Sequence, residues 1–335
     1  MRPVRSVAGQ VRLQPAPDEQ AEAAEIAGEV AGIGSGAPWD EVAVLYRVNA
    51  MSRLIERELS ALRVPYQVIG GLRFWARAAV RDGMAYLGWL YNPADRLAFE
   101  RVMDKPRRNI HGVTFARLMD AEERQGRPFA ELLGEPEGLG VTPARQASLR
   151  QMRALLDRHG PAVRAGGPGL GRLLHEILDG CGYLAWLGEQ EDAADGLANV
   201  EELCAAASAA ASVPALFEEA RLSAPPDDAA AGAVSLMTVH AAKGLEFGTV
   251  FVLGLEEGCF PHQKVDDLEE ERRLAYVAFT RAKDRLLLSY SASGRGWNQW
   301  DAQGGPSRFL REAGIRPARR GRVPGAASAT RRRRG

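Results

Sequence analysis

The chain has 335 residues, 46% of them hydrophobic, and its 43 Lys and Arg residues are balanced by 43 Asp and Glu residues. This length allows two domains with sizeable cores, and the balanced charge excludes an overall field that would attract a polyanion, so a nucleic-acid site would depend on local patches. The three cysteines show no C-x-x-C spacing, and no apolar run approaches the ~20 residues that span a bilayer, so we expect a cytoplasmic protein without a zinc site, disulfides or membrane contact.

The first ninety residues alternate between strand and helix patterns. Short apolar runs of the buried-strand type are followed by apolar residues at helical spacing, and Gly and Pro residues separate the segments. The predicted strands are 11–13, 42–46 and 65–69, and the predicted helices are 18–30 and 51–62. Such strand–helix–strand units normally form parallel sheets that are covered by helices.

The middle of the chain reads as helical, and the α/β pattern returns from Ala233. No convincing strand is found between residues 93 and 232, whereas strands are predicted at 234–239, 249–255 and 285–290, with a helix at 267–282. We therefore predict an α/β domain of residues 1–92 and 233–312 with a mostly helical domain, 93–232, inserted into it. Residues 313–335, which end in four arginines at 331–334, are predicted to form a disordered basic tail.

Three polar clusters are expected just past the carboxyl ends of the predicted strands. They are Tyr46-Arg47, the segment 238–246, and Arg281 at the end of the helix that leads into the last strand. Ligands bind at that edge of open α/β sheets. The convergence of the three clusters predicts one ligand site.

Each cluster also has a purely structural interpretation. Arg281 follows the apolar stripe of its helix, where a guanidinium could bind a phosphate, but a basic residue at a helix end also complements the helix dipole. Arg47 allows the same two interpretations, and Tyr46 is either a core residue or a platform for a base. Thr238 and His240 could offer polar groups to a backbone phosphate, although a lone histidine is often structural.

Lys243-Gly244 is interpreted as a tight turn and not as the end of a phosphate-binding loop. The frame G-x-x-x-x-G-K-[ST] does not occur at this place or anywhere else in the sequence. Glycine suits the turn because its backbone reaches conformations that other residues avoid. The chain therefore has no phosphate-binding loop of its own.

Four segments resemble the fourth, fifth and sixth motifs, in order, of UvrD/PcrA/Rep-type superfamily-one DNA helicases. The segments are Ala43-Val-Leu-Tyr-Arg-Val-Asn-Ala-Met-Ser-Arg53, Gly70-Gly-Leu-Arg-Phe-Trp-Ala-Arg77, residues 234–247 around His-Ala-Ala-Lys-Gly-Leu-Glu-Phe, and residues 269–282 around Tyr-Val-Ala-Phe-Thr-Arg-Ala. The resemblance spans about residues 10–312. It implies the C-terminal half of such an enzyme: a RecA-like motor domain, of P-loop NTPase type but without the loop, with an inserted helical domain.

The resemblance also implies roles for individual residues. Tyr46 resembles the residue that stacks on adenine, Arg47 one that reaches the γ-phosphate, Glu246 one that contacts the nucleotide sugar, and Arg281 an arginine finger. Thr238, His240 and Lys243 lie in the segment that resembles single-strand DNA contacts, which are largely independent of base sequence. The implied cofactor is ATP with Mg²⁺, and the implied partners are single-stranded DNA and single-strand/double-strand junctions.

Two departures from the family pattern qualify these expectations. The inserted domain of such helicases often carries a Gly-Ile-Gly element that touches duplex DNA, whereas this chain has Arg107-Arg-Asn-Ile-His-Gly112, so Lys105, Arg107 and Arg108 form either a phosphate-binding turn or a solvated one. The sequence also lacks the phosphate-binding loop and the Asp-Glu metal motif. We expect those parts, including the Mg²⁺ ligands, from an N-terminal helicase half supplied in cis or in trans, and we expect no ATP hydrolysis by this chain alone.

Two functions of different class follow. The first is the C-terminal portion of an ATP-dependent 3′–5′ DNA helicase or translocase that serves repair or replication and associates with the nucleoid. The second is a non-catalytic remnant that holds nucleic acid or a protein through the inserted domain and the basic tail. DNA-stimulated ATP hydrolysis, restored by an N-terminal half and lost with Arg281→Ala, would separate the two.

Overall fold

The chain folds around one parallel β-sheet. The computed structural model describes residues 9–34, 38–110, 112–223, 232–263, 267–293 and 305–315. Six strands lie in the order β1-β6-β5-β2-β4-β3, and all neighbouring pairs run parallel. The strands are β1 Gln10–Ala16, β2 Val42–Tyr46, β3 Tyr66–Val68, β4 Val234–Thr238, β5 Phe247–Val252 and β6 Ala282–Ser291.

Helices cover the sheet and form a separate layer beside it. They are α1 Glu19–Ile33, α2 Ser52–Ala61, α3 Ala78–Tyr91, α4 Arg96–Val102, α5 Val113–Gln125, α6 Phe129–Leu132, α7 Pro143–Ala165, α8 Leu170–Gly180, α9 Tyr183–Gly188, α10 Ala193–Ala209, α11 Val213–Leu222, α12 Leu268–Phe279 and α13 Arg308–Glu312. Within the described part of 93–232 every regular element is helical, as predicted. The α/β class with a parallel sheet is likewise confirmed, and it agrees with the RecA-like domain that the resemblance implies.

The central strand β2 sends its side chains alternately into two cores. Val44 and Tyr46 lie in the core that α1 and α2 cover, while Ala43 and Leu45 lie in the core of the opposite face. That opposite face is covered by α12, by α13 and by the connection 239–246 between β4 and β5. The alternation follows from the two-residue period of a strand that is buried on both faces.

The start of helix α12 is stabilised by an N-cap residue and by an acidic first turn. The side chain of Asp267 accepts hydrogen bonds from the backbone N–H groups of Glu269 and Glu270, at 2.9 and 3.1 Å. Three consecutive glutamates in this turn complement the positive end of the helix dipole. One of them, Glu271, is only 1% exposed, so it faces the sheet and not the solvent.

The helical layer has its own hydrophobic core, which begins earlier in the chain than the predicted boundary at 92/93. Phe74 and eleven residues of α3 are buried, and Trp89 of α3 packs against Phe99 of α4 with ring centroids 5.2 Å apart. The described residues from α4 to α11 contribute to the same core. The change from sheet to helical layer therefore falls near Phe74, before α3.

Buried polar side chains join the helical layer to the sheet. Arg53 of α2 donates to Glu202 of α10 and, at 3.0 Å, to Glu219 of α11, while only 4% of its side chain is exposed. Arg77, directly before α3, donates at 2.9 Å to Asn199 of α10. These contacts hold α10 and α11 against the end of the sheet that carries Tyr46-Arg47.

Two further predictions concern other parts of the chain. Residues 316–335, which contain most of the predicted basic tail, lie outside the described residues, while Ile315 just before them packs partly against the core beside α12. Among the described residues, no single helix has the length and apolarity to cross a bilayer, and α10 with α11 meets that test only as a pair bent by 116°.

Candidate functional site

Arg47 lies directly after β2 and forms a buried ion pair with Glu271 of α12. Its Nε donates to Glu271 Oε1 and Oε2 at 2.9 and 3.1 Å, and its Nη2 donates to Oε1 at 2.6 Å. The exposed fractions are 13% for the Arg47 side chain and 1% for that of Glu271. A paired, charge-assisted contact of this kind fixes the plane of the guanidinium.

Two histidines lie close to this pair. The backbone N–H of His262 donates to Glu271 Oε2 at 2.9 Å, which anchors the loop before α12. His240 is exposed, and burial of part of its ring together with the positive charge of Arg47 lowers its pKa. His240 is therefore a neutral hydrogen-bonding group near pH 7 and not a source of charge.

The structure does not support the predicted stacking of Tyr46 on a base. Tyr46 is 0% exposed, and its ring lies among Val44, Ile55 and Leu59 in the core between the sheet and the helices α1 and α2. Burial, reinforced by the nearby carboxylate of Glu56, raises the pKa of its hydroxyl well above the usual value. Tyr46 is a core residue here, because its position in the strand alternates toward the covered face.

Arg281 lies at the opposite edge of the sheet from Arg47, and the expectation of one shared edge is wrong. Tyr46 pairs with Thr238, and each is the last residue of its strand, so Arg47 and the segment after β4 lie at the carboxyl edge. Phe247 pairs with Ala282, and each is the first residue of its strand. Arg281, directly before β6, is consequently at the amino edge, because a helix between parallel strands returns the chain to that edge.

The guanidinium of Arg281 is held by three protein acceptors. Nε donates to the carbonyl of Val277 at 3.0 Å, Nη1 to the carbonyl of Leu245 at 2.9 Å, and Nη2 to the hydroxyl of Thr280 at 3.0 Å. A guanidinium has five N–H donors, so these bonds leave one N–H on each Nη. Arg281 is half-buried, and its free edge is fixed in direction.

The connection 239–246 carries polar residues from one edge of the sheet to the other. Thr238 is half-buried and its hydroxyl accepts from the N–H of Ala241 at 3.3 Å, while Lys243 and Glu246 are exposed. Gly244 has a φ of +87°, which confirms the tight turn after Lys243. Glu246 reaches the amino edge beside Arg281, whereas Thr238 stays at the carboxyl edge beside Arg47.

Arg108, in the turn predicted to be either phosphate-binding or solvated, is engaged with acceptors of the protein itself. Its Nη1 donates to the carbonyl of Lys105 at 2.9 Å, and its Nη2 donates to the carbonyl of Cys181 at 3.1 Å. Lys105 pairs with the buried carboxylate of Asp82 at 2.9 Å. These bonds tie the turn to the end of α8 and to α3, and of the predicted basic residues in this turn only Arg107 is exposed.

Glu271 is the site residue that the sequence interpretation missed. It lies three residues before Leu274 and seven before Ala278, on the buried stripe of α12. An acidic residue on an apolar stripe requires a partner, because an unpaired buried charge is costly. That position was the signal for an ion pair with one of the two arginines.

The described residues contain no group of three or more His, Cys, Asp or Glu side chains that could hold a metal ion. The carboxylates near Arg47 and Arg281 are instead engaged with arginine or exposed singly. The chemistry available at the two edges is thus the binding of anions by fixed guanidinium groups.

The parallel sheet with its inserted helical layer agrees with the fold of a RecA-like helicase C-terminal domain. The chain belongs to the UvrD-like helicase C-terminal domain family, whose sequence model matches residues 4–135 and 192–293. The two matched segments cover well over half of the chain and include all six strands.

Individual relatives agree with this assignment. The chain is 35% identical over 334 residues to ATP-dependent DNA helicase UvrD1 of Mycobacterium leprae, covering 88% of this chain and 42% of the relative. It is 32% identical over 269 residues to ATP-dependent DNA helicase PcrA of Bacillus subtilis, covering 74% and 36%. For DNA helicase II of Haemophilus influenzae the identity is 34% over 313 residues, with 83% and 40% covered. The chain thus spans less than half the length of these relatives.

Proposed function

We propose that this chain is the C-terminal portion of an ATP-dependent DNA helicase and forms one wall of an ATP-binding cleft. Family membership carries the proposal. The first matched segment contains the polar cluster at Arg47, and the second contains the one at Arg281. The other wall, with the phosphate-binding loop, would come from an N-terminal helicase half in cis or in trans. The sequence has no such loop, so the chain alone is inactive in this account.

Arg281 is proposed as the arginine finger. Its three hydrogen bonds to Val277, Leu245 and Thr280 fix the guanidinium before any ligand arrives, and an N–H on each Nη remains for phosphate oxygens. Preorganised donors of this kind stabilise charge that develops in a transition state without reorganising. Glu246, exposed on the same edge, is proposed to contact the nucleotide sugar.

The carboxyl edge is proposed to contact single-stranded DNA, and Arg47 on that edge is proposed to bind a phosphate group of the DNA or of the nucleotide. His240 and Lys243 are exposed on the connection after β4, and Arg47 lies beside His240. Backbone contacts of this type give binding that depends on salt and tolerates any sequence. Arg107 is the remaining candidate for contact at a single-strand/double-strand junction.

ATP would be bound with Mg²⁺, and the metal ligands would come from the other half, since no described group of residues here could supply them. Closure of the cleft on ATP and its opening after hydrolysis would move the strand, with 3′–5′ polarity and a role in repair or replication as the family resemblance implies. Such a protein would act in the cytoplasm, at the nucleoid.

The test is DNA-stimulated ATP hydrolysis by this chain mixed with the N-terminal portion of Bacillus subtilis PcrA. We expect activity in the mixture and none from either part. Arg281→Ala should lower kcat by about 10³-fold or more, which is the scale of arginine-finger effects. Arg273→Ala is the matched control, because Arg273 lies on the exposed side of the same helix with 71% of its side chain exposed. Full activity of the Arg281→Ala mixture would refute the proposed finger.

A further inference from the structure

We infer that Glu271 is a positioning residue that orients Arg47 for a phosphate oxygen. The inference rests on the proposed function. It assigns to the buried carboxylate of Glu271 the role of fixing the direction of the Arg47 guanidinium. The ligand is a phosphate oxyanion, from the polyphosphate of a nucleotide or from a DNA backbone.

The ion pair leaves one side of the guanidinium available. Glu271 occupies Nε and Nη2 of Arg47, which form one edge of the planar group. Among the described residues, none accepts a hydrogen bond from Nη1. The two N–H groups of Nη1 are therefore without an acceptor in the described part of the protein, while 13% of the side chain remains exposed.

Because Glu271 is buried, it stays bound to Arg47 and keeps the guanidinium in place when a ligand binds. The carboxylate is 1% exposed and is also held by the backbone N–H of His262 at 2.9 Å. If Arg47 turned away to a ligand, Glu271 would be left as a buried charge without its countercharge, which is strongly unfavourable. Arg47 should thus keep the pair and bind phosphate through Nη1.

The charged groups that face Arg47 favour this arrangement. His240 lies close enough to Arg47 for their charges to interact, and partial burial together with the charge of Arg47 lowers its pKa, so Arg47 is the main positive charge that an anion would meet there near pH 7. Glu270, the neighbouring carboxylate, points outward and pairs with Arg273 at 2.9 Å. It therefore provides a control of equal charge that does not touch Arg47.

The experiment measures binding of tripolyphosphate, and separately of a dT12 oligonucleotide, to the whole chain by NMR titration of the arginine Nε–H resonances. We compare wild type, Arg47→Ala, Glu271→Gln, Glu270→Gln and the Arg47→Ala/Glu271→Gln double variant, each first checked for native thermal unfolding. Arg47→Ala and Glu271→Gln should each weaken binding of at least one probe by about tenfold. Glu270→Gln should have no effect.

The double variant separates positioning from a general structural effect. If Glu271 acts through Arg47, the double variant binds no more weakly than Arg47→Ala alone. Equal or tighter binding by Glu271→Gln, or additive losses in the double variant, would overturn the inference. The probe that responds identifies the source of the phosphate, and a response from neither probe also overturns it. The test needs no ATP hydrolysis, so the inference can fail while the proposed helicase function stands.

Discussion

At the scale of single residues, burial decides what Tyr46 does. Its ring is 0% exposed and packs between the sheet and the helices α1 and α2, while the next residue, Arg47, reaches the open edge. Tyr46 is the last residue of β2 and is enclosed by the core, whereas Arg47 follows the strand and is partly exposed. The ring therefore contributes packing, which is measurable as stability.

Tyr46→Ala should lower the free energy of unfolding by about 3–5 kcal/mol, because it removes a fully buried aromatic ring and leaves a cavity. Urea denaturation followed by circular dichroism measures the change. Tyr276→Ala is the control, since Tyr276 is 54% exposed on α12 and its loss should cost less than ~1 kcal/mol. A Tyr46→Ala variant as stable as wild type would contradict the packing described here.

Arg77 and Glu56 form a second buried polar cluster next to Tyr46. Arg77 donates to Ser52 at 2.7 Å and lies 3.7 Å from a Glu56 oxygen, and the Glu56 carboxylate accepts from the N–H of Phe74 at 3.2 Å. Burial raises the pKa of Glu56, although Ser52 and Arg77 oppose that effect. Arg77 thus lies where it supplies a countercharge for the buried carboxylate of Glu56.

Arg77→Met should destabilise the fold by about 3–5 kcal/mol, because it leaves the Glu56 carboxylate buried without a countercharge. Chemical denaturation gives the value. Adding Glu56→Leu in the same chain should recover part of the loss, since an apolar pair replaces a broken ionic one. The matched control is Arg81→Met, at an exposed position of α3, which should change stability by less than ~0.5 kcal/mol.

At the scale of elements, the short helix α13 is held by two ion pairs, Arg308 with Glu257 and Glu312 with Arg272, and by two apolar residues. Phe309 and Leu310 are each 2% exposed, and Phe309 packs against Phe260 with ring centroids 5.7 Å apart. Arg308 donates through its backbone N–H and its guanidinium to Glu257, the latter at 2.7 Å. Burial of Glu257 raises its pKa, but the hydrogen bonds from Arg308 outweigh this, so the pKa lies below the usual 4.5.

Glu257→Gln should therefore destabilise the protein at pH 7 by about 1 kcal/mol, with an effect that shrinks in acid. The folded-state pKa of Glu257 is depressed, so its contribution is fully present above pH 4.5 and is lost as the pH falls through the lower folded value. Thermal unfolding of both proteins between pH 7 and pH 3.5 measures this. If the difference in unfolding temperature between wild type and Glu257→Gln stayed constant over that pH range, the result would contradict a stabilising ion pair.

At the scale of the whole molecule, the helical layer and the sheet are joined through Arg53. This residue of α2 is nearly buried and bridges Glu202 of α10 and Glu219 of α11. Its partners are more than a hundred residues away in sequence, so the contact closes a long loop of chain. Loss of the bridge should loosen the two layers relative to each other without unfolding either core.

Arg53→Met should increase amide hydrogen exchange in α10 and α11 more than in β2 or β5, because it leaves two carboxylates without their shared countercharge. Hydrogen exchange read by mass spectrometry resolves these segments. Arg57→Met, one turn later on α2, is the control, since within the described residues Arg57 forms an ion pair only with its neighbour Glu58 and its side chain is 31% exposed. If Arg53→Met changed hydrogen exchange in α10 and α11 no more than in β2 and β5, Arg53 would not be the residue that joins the helical layer to the sheet.

The strands, the inserted helices and the motif order were predictable because they depend on local patterns: apolar runs, helical spacing and turns such as that at Gly244. The membership of α3 in the helical core was not, because a helix buried on nearly every side has no stripe that indicates its partner. The position of Glu271 on an apolar stripe indicates that it needs a partner, but the sequence does not show that this partner is Arg47, 224 positions away. The pairing depends on how α12 crosses the sheet, which no local pattern records.

The helix α12 fixes both the distance between Arg47 and Arg281 and the angle about its axis at which each of them lies. Glu271 holds Arg47 near its start, and Val277 with Thr280 holds Arg281 at its end. Each residue of an α-helix adds about 100° of rotation and ~1.5 Å of rise, so a single insertion between positions 271 and 281 would turn Arg281 by more than a quarter of a circle. Changes of side chain within α12 can be neutral, but a change in its length would put the two guanidinium groups out of register.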